Sequence, residues 1–580
     1  MSSHHLAPET LTLETPVQKK SRSALLNKTN ILACFLAATL SPLATFAASI
    51  PLPSVKSLAG ECDAVLKDTP ADGPGTVVLL ARRGELICTA ARGMADVELQ
   101  QALKPEHRLR IGSISKQFTA AALLKLVDQG KARIEDPLST YIPDFPNGGN
   151  ITLLQLLNHT SGIASITSVP GFDENTQRMD KTSKELMKLI TDLPTDFAPG
   201  SAWRYSNSGY IVLSAVIEKI TGKSWHQALD ELLFKPLHLK ETTYEDPAQI
   251  WPGLVRGYRK DNQGRISPAA PISMTVPQGA GALISTAKDL WQWNEALHGG
   301  RVLSPASYKQ MITAQGAAIK DNYGFGIGAR PVRTQTAIWH NGGINGFVSD
   351  LYYLPESGTT VVQLNNLEAR VQAYALKLAA MAIGDPILAL AAEKWTNDQL
   401  SSAQGEYVKD GVSRTLRLRE GRLYSQRQGG RALALSTASQ QRLGFDDDAL
   451  SSIQLERDAQ GKVTALHFYP QGNSKAEVWV RKGDLPAEAA VAALSEEQIA
   501  RVIGSYTSPG FSTEVRRNGK GGLEVQAKGQ PSLEIVPITA NKFKLTAVEA
   551  TLEFETQGKQ AQSVNLHQGG RILVLQRVQE

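Results

Sequence analysis

The amino-acid sequence predicts an α+β domain followed by two small all-β barrels. Strand-like segments stand at both ends of the first two thirds of the chain, with helical segments between them, which indicates one sheet built from both ends. After about residue 385, short segments alternate polar and apolar residues around turns, as in 414–424. This tail repeats itself, because Gly405 and Tyr407 recur as Gly504 and Tyr506 about 100 residues later. The repeat indicates two similar barrel units.

The composition is that of an ordinary globular protein. The 580 residues are 42% hydrophobic and 20% charged, and 61 basic against 56 acidic residues give a formal net charge of +5. So small a charge over this length excludes a basic nucleic-acid-binding surface as the main function. Three cysteines exclude a disulfide-rich scaffold and a cysteine-based zinc module. We therefore expect no nucleic-acid partner, no metal and no cofactor.

The N-terminus has the pattern of an export signal. Basic residues precede an apolar run at 31–47, which ends in the small-residue pattern Thr45-Phe46-Ala47. This predicts a secretory signal at 1–47 and a periplasmic or secreted protein without a membrane span after cleavage. The alternative is an uncleaved anchor, but Ser41-Pro42 interrupts a run that is already short for a bilayer span.

The elements of the first domain follow in order along the chain. Two strands joined by a turn at Gly84 form a hairpin. A nearly continuous apolar segment that stops at Gly130 is typical of a buried helix with a glycine cap. The expected strands are 76–80, 86–88, 337–339, 348–353 and 358–364, and the expected helices are 118–127, 152–158, 183–191 and 209–221.

These elements place the first domain at 52–388 and the two barrel domains at 396–488 and 489–580. Cys62 and Cys88 remain after removal of the signal. In an oxidising compartment they either form a disulfide or stay as two separate buried thiols.

Ser113 and Lys116 form a Ser-x-x-Lys motif at the start of the buried helix. Residues three apart share a helix face, so the Ser113 hydroxyl and the Lys116 amine can meet. The helix N-terminus favours a developing oxyanion, and burial should lower the pKa of Lys116 toward that of a usable base. The alternative is a capping serine with a lysine that reaches solvent. Ser285 and Lys288 have the same spacing at what resembles an ordinary helix cap.

Tyr205 and Asn207 form a Tyr-x-Asn motif, and no other tyrosine of the chain has asparagine two residues later. Next to a buried ammonium, the Tyr205 phenolate would become accessible and could relay a proton between Ser113 and the leaving group. Asn207 offers an amide to Lys116 or to a substrate carbonyl. The alternative is a loop that caps the helix beginning near Ser208.

His340, Gly342 and Gly343 follow a predicted strand. The two glycines would let another backbone approach, so a substrate peptide could add to this edge as a strand. The backbone N–H groups of Gly343 and Ser113 could then form an oxyanion hole. His340 is expected to be a nearby proton donor that is cationic in mildly acidic solution.

Ser-x-x-Lys, Tyr-x-Asn and His-x-Gly, in this order, resemble the motifs of the penicillin-recognising serine hydrolases. Within that group the chain resembles class C β-lactamases, secreted serine D-Ala-D-Ala carboxypeptidases and D-aminopeptidases. Flanking segments match as well, among them 156–162, which reads Leu-Leu-Asn-His-Thr-Ser-Gly. The resemblance covers about 55–385. It implies a β-lactamase-like catalytic domain, in which an antiparallel sheet is flanked by helices and joined to a helical lobe.

The resemblance also implies roles for the motif residues. Ser113 would be the acylated nucleophile, and Lys116 and Tyr205 would share the proton transfers. The substrate-binding residues would be Asn207, His340, Gly342 and Gly343. Many relatives have lysine at the position of His340, so the histidine favours the peptidase end of the group over antibiotic hydrolysis.

The two barrels resemble the three-domain layout of D-aminopeptidases, in which a loop from the last barrel enters the catalytic cleft. The candidate loops here are 508–510 and 529–531. His159 is expected to be a structural cap at a helix end and not a catalytic base.

The sequence therefore predicts an exported serine hydrolase that forms an acyl-enzyme on amide or peptide bonds. The expected substrates are small peptides or amides with D-residues, with peptidoglycan-derived peptides among the candidates. Ester and β-lactam hydrolysis at the same site are the alternatives. A catalytically silent penicillin-binding or cell-wall sensor protein is the alternative of another class. The oligomeric state stays open.

Overall fold

The computed structural model describes residues 51–578 with short gaps. The gaps are 169–171, 173, 262–263, 369–372, 388–389, 447, 486–493, 509–510, 520, 528–529, 531, 547, 549, 557, 559 and 569–570. The predicted signal at 1–47 lies outside the described residues, and so do parts of both candidate loops from the last barrel. In the described part of the chain, no helix is long and apolar enough to cross a membrane.

The first domain alternates short strands and helices. Its strands are β1 Thr76–Arg82, β2 Glu85–Arg92, β3 Met94–Asp96, β4 Gln101–Ala102, β5 Leu109–Arg110, β6 Thr243–Tyr244, β7 Tyr258–Lys260, β8 Ile266–Pro268, β9 Leu283–Ser285, β10 Gly328–Val332, β11 Gln335–Ile344, β12 Phe347–Leu354, β13 Thr359–Asn365 and β14 Leu367–Glu368. Its helices are α1 Val55–Leu58, α2 Glu61–Leu66, α3 Ser115–Asp128, α4 Leu153–Leu157, α5 Glu174–Arg178, α6 Ser183–Thr191, α7 Asn207–Thr221, α8 Trp225–Leu229, α9 Ala287–His298, α10 Pro305–Ile312 and α11 Tyr374–Ala382.

A sheet in the order β10-β11-β12-β13-β1-β2 joins the two ends of this domain. Strand β1 pairs antiparallel with both β2 and β13, and every residue of β1 and β13 is buried. Side chains of β1 alternate between two cores, because Val77 and Leu79 pack with α3, α7 and α9, whereas Val78 and Leu80 pack with α2 and α11. Helices thus cover both faces of the sheet, and the predicted α+β fold is confirmed.

Helix α3 crosses the larger core. Its residues are buried along almost the whole length, as the apolar segment predicted, and the Phe118 ring stacks on Trp293 of α9 with the ring centres 4.1 Å apart. A 3-10 turn over Gly112–Ile114 leads directly into α3. Because α3 is enclosed on all sides, the side chains of its first turn are held firmly against the sheet.

Cys62 of α2 and Cys88 of β2 form a disulfide, with their Cα atoms 5.9 Å apart. This settles the two possibilities that the sequence left open. The bridge ties the second helix of the domain to the edge strand β2 of the sheet.

The rest of the chain forms two closed antiparallel barrels, which confirms the two all-β units. Within the described residues each barrel has eight strands. The middle barrel contains β15 Gly405–Lys409, β16 Val412–Arg419, β17 Arg422–Arg427, β18 Ala432–Ala438, β19 Arg442–Phe445, β20 Asp448–Arg457, β21 Val463–Tyr469 and β22 Glu477–Gly483. The last barrel contains β23 Gly504–Ser508, β24 Phe511–Arg517, β25 Leu523–Ala527, β26 Leu533–Pro537, β27 Lys542–Leu545, β28 Ala550–Thr556, β29 Ala561–Gln568 and β30 Arg571–Arg577.

Both barrels begin in the same way. A short helix precedes the first strand of each, α12 Asn397–Ser402 and α13 Glu496–Val502, and both helices start with a capping box. Tyr407 and Tyr506, the repeated tyrosines, are fully buried. Each hydroxyl donates a hydrogen bond to a carbonyl at the end of the preceding helix, at 2.9 and 2.8 Å. The repeat in the sequence therefore corresponds to a repeated structural unit.

The middle barrel contacts both of its neighbours. Arg333 of the first domain donates a hydrogen bond to the Gly472 carbonyl at 2.8 Å and forms an ion pair with Asp385 at 2.6 Å. On the other side, Arg431 of the middle barrel forms a β-bridge with Val548 of the last barrel.

Candidate active site

The Ser-x-x-Lys motif brings its two polar side chains into contact. Ser113 lies in the 3-10 turn before α3, and Lys116 lies in the first turn of α3. The distance between Lys116 Nζ and Ser113 Oγ is 3.1 Å. Lys116 is fully buried, whereas Ser113 is half-buried. The hydroxyl thus lies at the surface of the cleft and the amine lies beneath it.

The Lys116 amine has two further partners, and both accept hydrogen bonds only. Nζ donates to Asn207 Oδ1 at 2.8 Å and to the Ala280 carbonyl at 2.7 Å. Burial lowers the pKa of Lys116 well below its ordinary value. A neutral amine has two N–H bonds and one lone pair, and the two oxygens occupy both N–H bonds. Whenever the amine is neutral, its lone pair is therefore left for the hydroxyl proton of Ser113.

Tyr205 lies on the other side of the lysine. Lys116 Nζ is 4.8 Å from the centre of the Tyr205 ring. Desolvation by the surrounding side chains raises the pKa of Tyr205, and the nearby Ser113 hydroxyl opposes that shift more weakly. The expected accessible phenolate is therefore wrong, because burial desolvates the phenol itself and so favours its neutral form. Tyr205 is a protonated phenol beside the nucleophile.

Asn207 is held in place at the start of α7. Its backbone N–H donates to Ser165 Oγ at 3.1 Å, and its side-chain Nδ2 donates to Thr167 Oγ1 at 3.0 Å. These contacts leave the amide oxygen facing Lys116. Ser206 caps α7 through the Gly209 N–H, so the segment both caps a helix and contributes to the site. Ser165 and Thr167 have no motif of their own, and the sequence analysis missed them.

His340 of β11 is buried beside Tyr323. It is 4% exposed, its Nε2 is 2.8 Å from the Tyr323 hydroxyl, and its Nδ1 is 2.5 Å from the Asn341 carbonyl oxygen. Because Nδ1 faces an acceptor it carries the proton, and Tyr323 donates to Nε2. Burial, together with the charge of Lys116, lowers the pKa of His340 to about 3. The expectation of a cationic His340 in mildly acidic solution is therefore wrong.

The glycines of β11 lie against the turn that carries Ser113. A Cβ on Gly342 would overlap the Ile111 carbonyl oxygen, and a Cβ on Gly112 would lie 2.8 Å from the Gly343 backbone nitrogen. A Cβ on Gly343 would meet only open space. The backbone that approaches these glycines is therefore the chain's own turn, and Gly343 adjoins both that turn and the cleft.

His159 and Tyr323 pack behind Tyr205. His159 is 1% exposed and has a left-handed φ of 63° after α4, and its Nδ1 accepts a hydrogen bond from the Ser206 N–H at 3.2 Å. Its ring centre is 4.4 Å from that of Tyr205 and 4.8 Å from that of Tyr323. These contacts agree with a structural role for His159, which fixes the loop before α7. Tyr323 makes a β-bridge with Gly328.

The described residues contain no group of three or more His, Cys, Asp and Glu side chains that could hold a metal ion. Among them, no carboxylate forms an ion pair with Lys116. The site as described therefore consists of a hydroxyl, a buried amine, a phenol and an amide, with backbone from β11 beside them.

The sequence of this chain is similar to those of known proteins. Residues 63–384 match the family described as Beta-lactamase. A Bacillus subtilis (strain 168) protein named as penicillin-binding, PbpX, is 30% identical over 286 residues, which are 49% of this chain and 68% of that protein. The D-aminopeptidase of Brucella canis is 26% identical over 343 residues, which are 57% of this chain and 65% of that protein.

A solved structure shows the same fold at lower identity. The octameric penicillin-binding protein homologue from Pyrococcus abyssi has 20% identity and a TM-score of 0.51, and the match covers 74% of this chain and 99% of that chain.

Proposed function

Since the chain belongs to the Beta-lactamase family, we propose that it is a serine hydrolase that cleaves amide bonds through an acyl-enzyme on Ser113. The observation that carries the proposal is the environment of the Lys116 amine. This amine lies 3.1 Å from Ser113 Oγ, and Asn207 and Ala280 supply acceptors for its two N–H bonds. An amine in that state can accept the Ser113 proton and so activate the hydroxyl as a nucleophile.

Acylation begins when Ser113 Oγ attacks the carbonyl carbon of the substrate and its proton passes to Lys116 Nζ. The backbone N–H groups of Ser113 and Gly343 stabilise the resulting oxyanion. As the C–N bond breaks, the Tyr205 phenol gives its proton to the leaving amine and takes one from the Lys116 ammonium. The step ends with an ester on Ser113, a free amine product and a neutral lysine.

Deacylation reverses these proton transfers with water as the nucleophile. The water attacks the ester carbonyl and gives a proton to Lys116, directly or through Tyr205. The Ser113 oxygen leaves and recovers that proton, so the enzyme returns to its starting state with a carboxylic acid product.

The free edge of β11 supports a peptide as the substrate. Strand β10 pairs only with residues 335–339 of β11, so the segment beyond it has no partner on that edge within the described residues. This segment includes Gly343, which adjoins the cleft. An extended peptide could add here as a strand and present one carbonyl to Ser113.

We assign D-amino-acid amides or peptides as the substrate class. The support is the D-aminopeptidase among the relatives and a neutral, buried His340 where many β-lactamases have lysine. We also propose that the protein is exported, so that peptidoglycan-derived peptides are within its reach. The export-like N-terminus and the disulfide between Cys62 and Cys88 support this, because such bridges persist in oxidising compartments.

Active-site labelling followed by intact-mass analysis tests the acyl-enzyme. A fluorophosphonate should add one adduct to the native protein and none to Ser113→Ala, and that variant should lose about 10⁴-fold or more of kcat/KM. Ser285→Ala is the matched control, because Ser285 belongs to the second Ser-x-x-Lys spacing. It should keep both the label and the activity. A Ser113→Ala protein with native activity would end the assignment.

Kinetic measurements on a panel of substrates test the proposed substrate class. D-aminoacyl p-nitroanilides and D-Ala-D-Ala peptides should give a higher kcat/KM than their L-isomers, short esters or nitrocefin. If nitrocefin or a short ester is the best substrate, the proposal of a serine hydrolase is kept, but the assigned substrate class is wrong. Labelling of Ser113 without turnover of any member would favour a penicillin-binding sensor.

A further inference from the structure

The middle barrel contains a cavity of about 260 Å³ with an unusual lining. Arg414, Arg427 and Arg431 all contribute to its wall. The interior of a small eight-stranded barrel is ordinarily filled by apolar side chains or shaped to hold one small ligand. Several guanidinium groups at one such cavity indicate that this barrel holds a small ligand.

Arg414 is the innermost of these cations. It is 6% exposed, and its guanidinium carbon lies 4.5 Å from the ring centre of Phe468 and 4.7 Å from that of Trp479. Nη1 donates to Ser425 Oγ at 2.9 Å, whereas the buried Nε has no hydrogen-bond partner among the described residues. Burial lowers the pKa of Arg414 to about 10, so the group is still charged in neutral solution.

Among the described residues no carboxylate forms an ion pair with Arg414. The charge of Glu477 is near enough to raise the pKa of Arg414, but Glu477 pairs with Lys409 at 3.7 Å. The carboxylate of Asp448 also lines the cavity, but it accepts hydrogen bonds from Ser451 Oγ at 2.6 Å and from the Leu450 N–H at 3.2 Å. A buried charge without a close counter-ion is unfavourable, because its other contacts compensate for the lost hydration only in part. A bound anion would remove that penalty.

The last barrel shows that the fold does not require a cation at this position. Its equivalent cavity of about 330 Å³ has Thr513 in place of Arg414, and Ala527 in place of Arg427. The backbone registers of the two barrels match here, since Arg414 pairs with Arg427 as Thr513 pairs with Ala527. A barrel of this type therefore closes without a guanidinium inside. Closure of the barrel does not explain why the middle barrel has an arginine at position 414.

We propose that the middle barrel binds a small monovalent carboxylate, with the carboxylate group on Arg414. The apolar part of the ligand would lie against Leu433 and Phe445, which also line the cavity. Arginine suits a carboxylate because its planar donors match the two oxygens. The negative charge of Asp448 in the same cavity disfavours a doubly charged phosphate.

Isothermal titration of the full chain with sodium phenylacetate tests this site. Phenylacetate should bind with a stoichiometry of one, whereas neutral phenylacetamide, which has nearly the same shape, should bind at least about tenfold more weakly because it lacks the charge. Inorganic phosphate should not compete. Ser113→Ala should bind phenylacetate as the native protein does, which separates this site from the catalytic cleft and from the proposed function.

Arg414→Met tests the guanidinium, because methionine keeps much of the volume and removes the charge. Its affinity for phenylacetate should fall by about tenfold to a hundredfold, while its thermal midpoint without ligand stays the same or rises. Thr513→Val in the last barrel is the matched control and should bind normally. Should Arg414→Met fail to fold, Arg427→Gln, at an exposed lining position, should weaken binding several-fold.

Several results would overturn the proposal. For the native protein they are no binding of phenylacetate, equal binding of the neutral amide, or preference for phosphate. For the variants they are loss of binding in Ser113→Ala or unchanged binding in Arg414→Met. A lower thermal midpoint for Arg414→Met together with unchanged ligand binding would assign the arginine to barrel packing alone.

Discussion

Two regions of this molecule bury a basic side chain that forms no ion pair with a carboxylate among the described residues. The two side chains differ in how burial affects their protonation. Lys116, beneath the cleft, has three hydrogen-bond contacts and a pKa that burial lowers well below its ordinary value. Arg414, inside the middle barrel, has one hydrogen bond and two aromatic rings, and its pKa is about 10. An amine can shed its proton when it is desolvated, whereas a guanidinium keeps its proton. Burial therefore makes a base in the first region and an anion acceptor in the second.

Lys116→Arg is the strongest test of this difference, because it places the residue that stays charged where the base is needed. We expect kcat/KM for a D-aminoacyl p-nitroanilide to fall by about 10⁴-fold, the upper range for loss of a general base. Labelling of Ser113 should be lost in parallel. Lys288→Arg, in the second Ser-x-x-Lys spacing, is exposed and should be fully active. If Lys116→Arg retained a tenth of the native activity, the lysine would not be the base.

The activity at Ser113 and the affinity of the middle barrel for phenylacetate should depend differently on pH. The active form of Lys116 is neutral, so kcat/KM should fall tenfold per pH unit below its lowered pKa and stay level above it. The acid limb should therefore lie well below the ordinary lysine pKa of about 10.4. Phenylacetate affinity should stay flat over roughly pH 6 to 9, because Arg414 remains charged there for the most part. An acid limb near pH 10 would mean that Lys116 is hydrated and charged.

Arg414→Lys is the converse exchange and has the smallest expected effect. Burial should lower the pKa of a lysine at this position, as it lowers that of Lys116. The lysine should then be mostly neutral at pH 8, so phenylacetate affinity should fall by about tenfold. The affinity should recover as the pH decreases and the amine is protonated, which titration calorimetry at several pH values can measure. A loss that does not depend on pH would show that geometry, and not charge, governs the site.

Local spacing predicted the parts of the site that lie on one element. Ser113 and Lys116 meet because residues three apart share a helix face. The repeat of about 100 residues likewise predicted two barrels, since each barrel is a self-contained unit with its own core. Both results depend on patterns that are visible in the sequence itself, a spacing of three residues in the first case and a repeated segment in the second.

Contacts between site residues and distant segments of the chain could not be predicted from such patterns. The second acceptor of Lys116 is the Ala280 carbonyl, 164 residues away, and a backbone carbonyl has no signature in the sequence. The protonation states of Tyr205 and His340 depend on burial by several elements, so they could not be assigned from residue type alone. Arg414 did have a signal, because strict alternation places it on the same inward face as Leu416.

The pairing of strand β1 with β13 affects how the protein folds during synthesis. The two strands are distant in the chain, since Thr76 and Asn365 are 289 residues apart. At translation rates of roughly 5–20 residues per second, β13 leaves the ribosome roughly 15 to 60 s after β1. During that interval an apolar strand edge is open to other nascent chains. The soluble yield of this protein therefore depends on what shields that edge until the chain can close its own sheet.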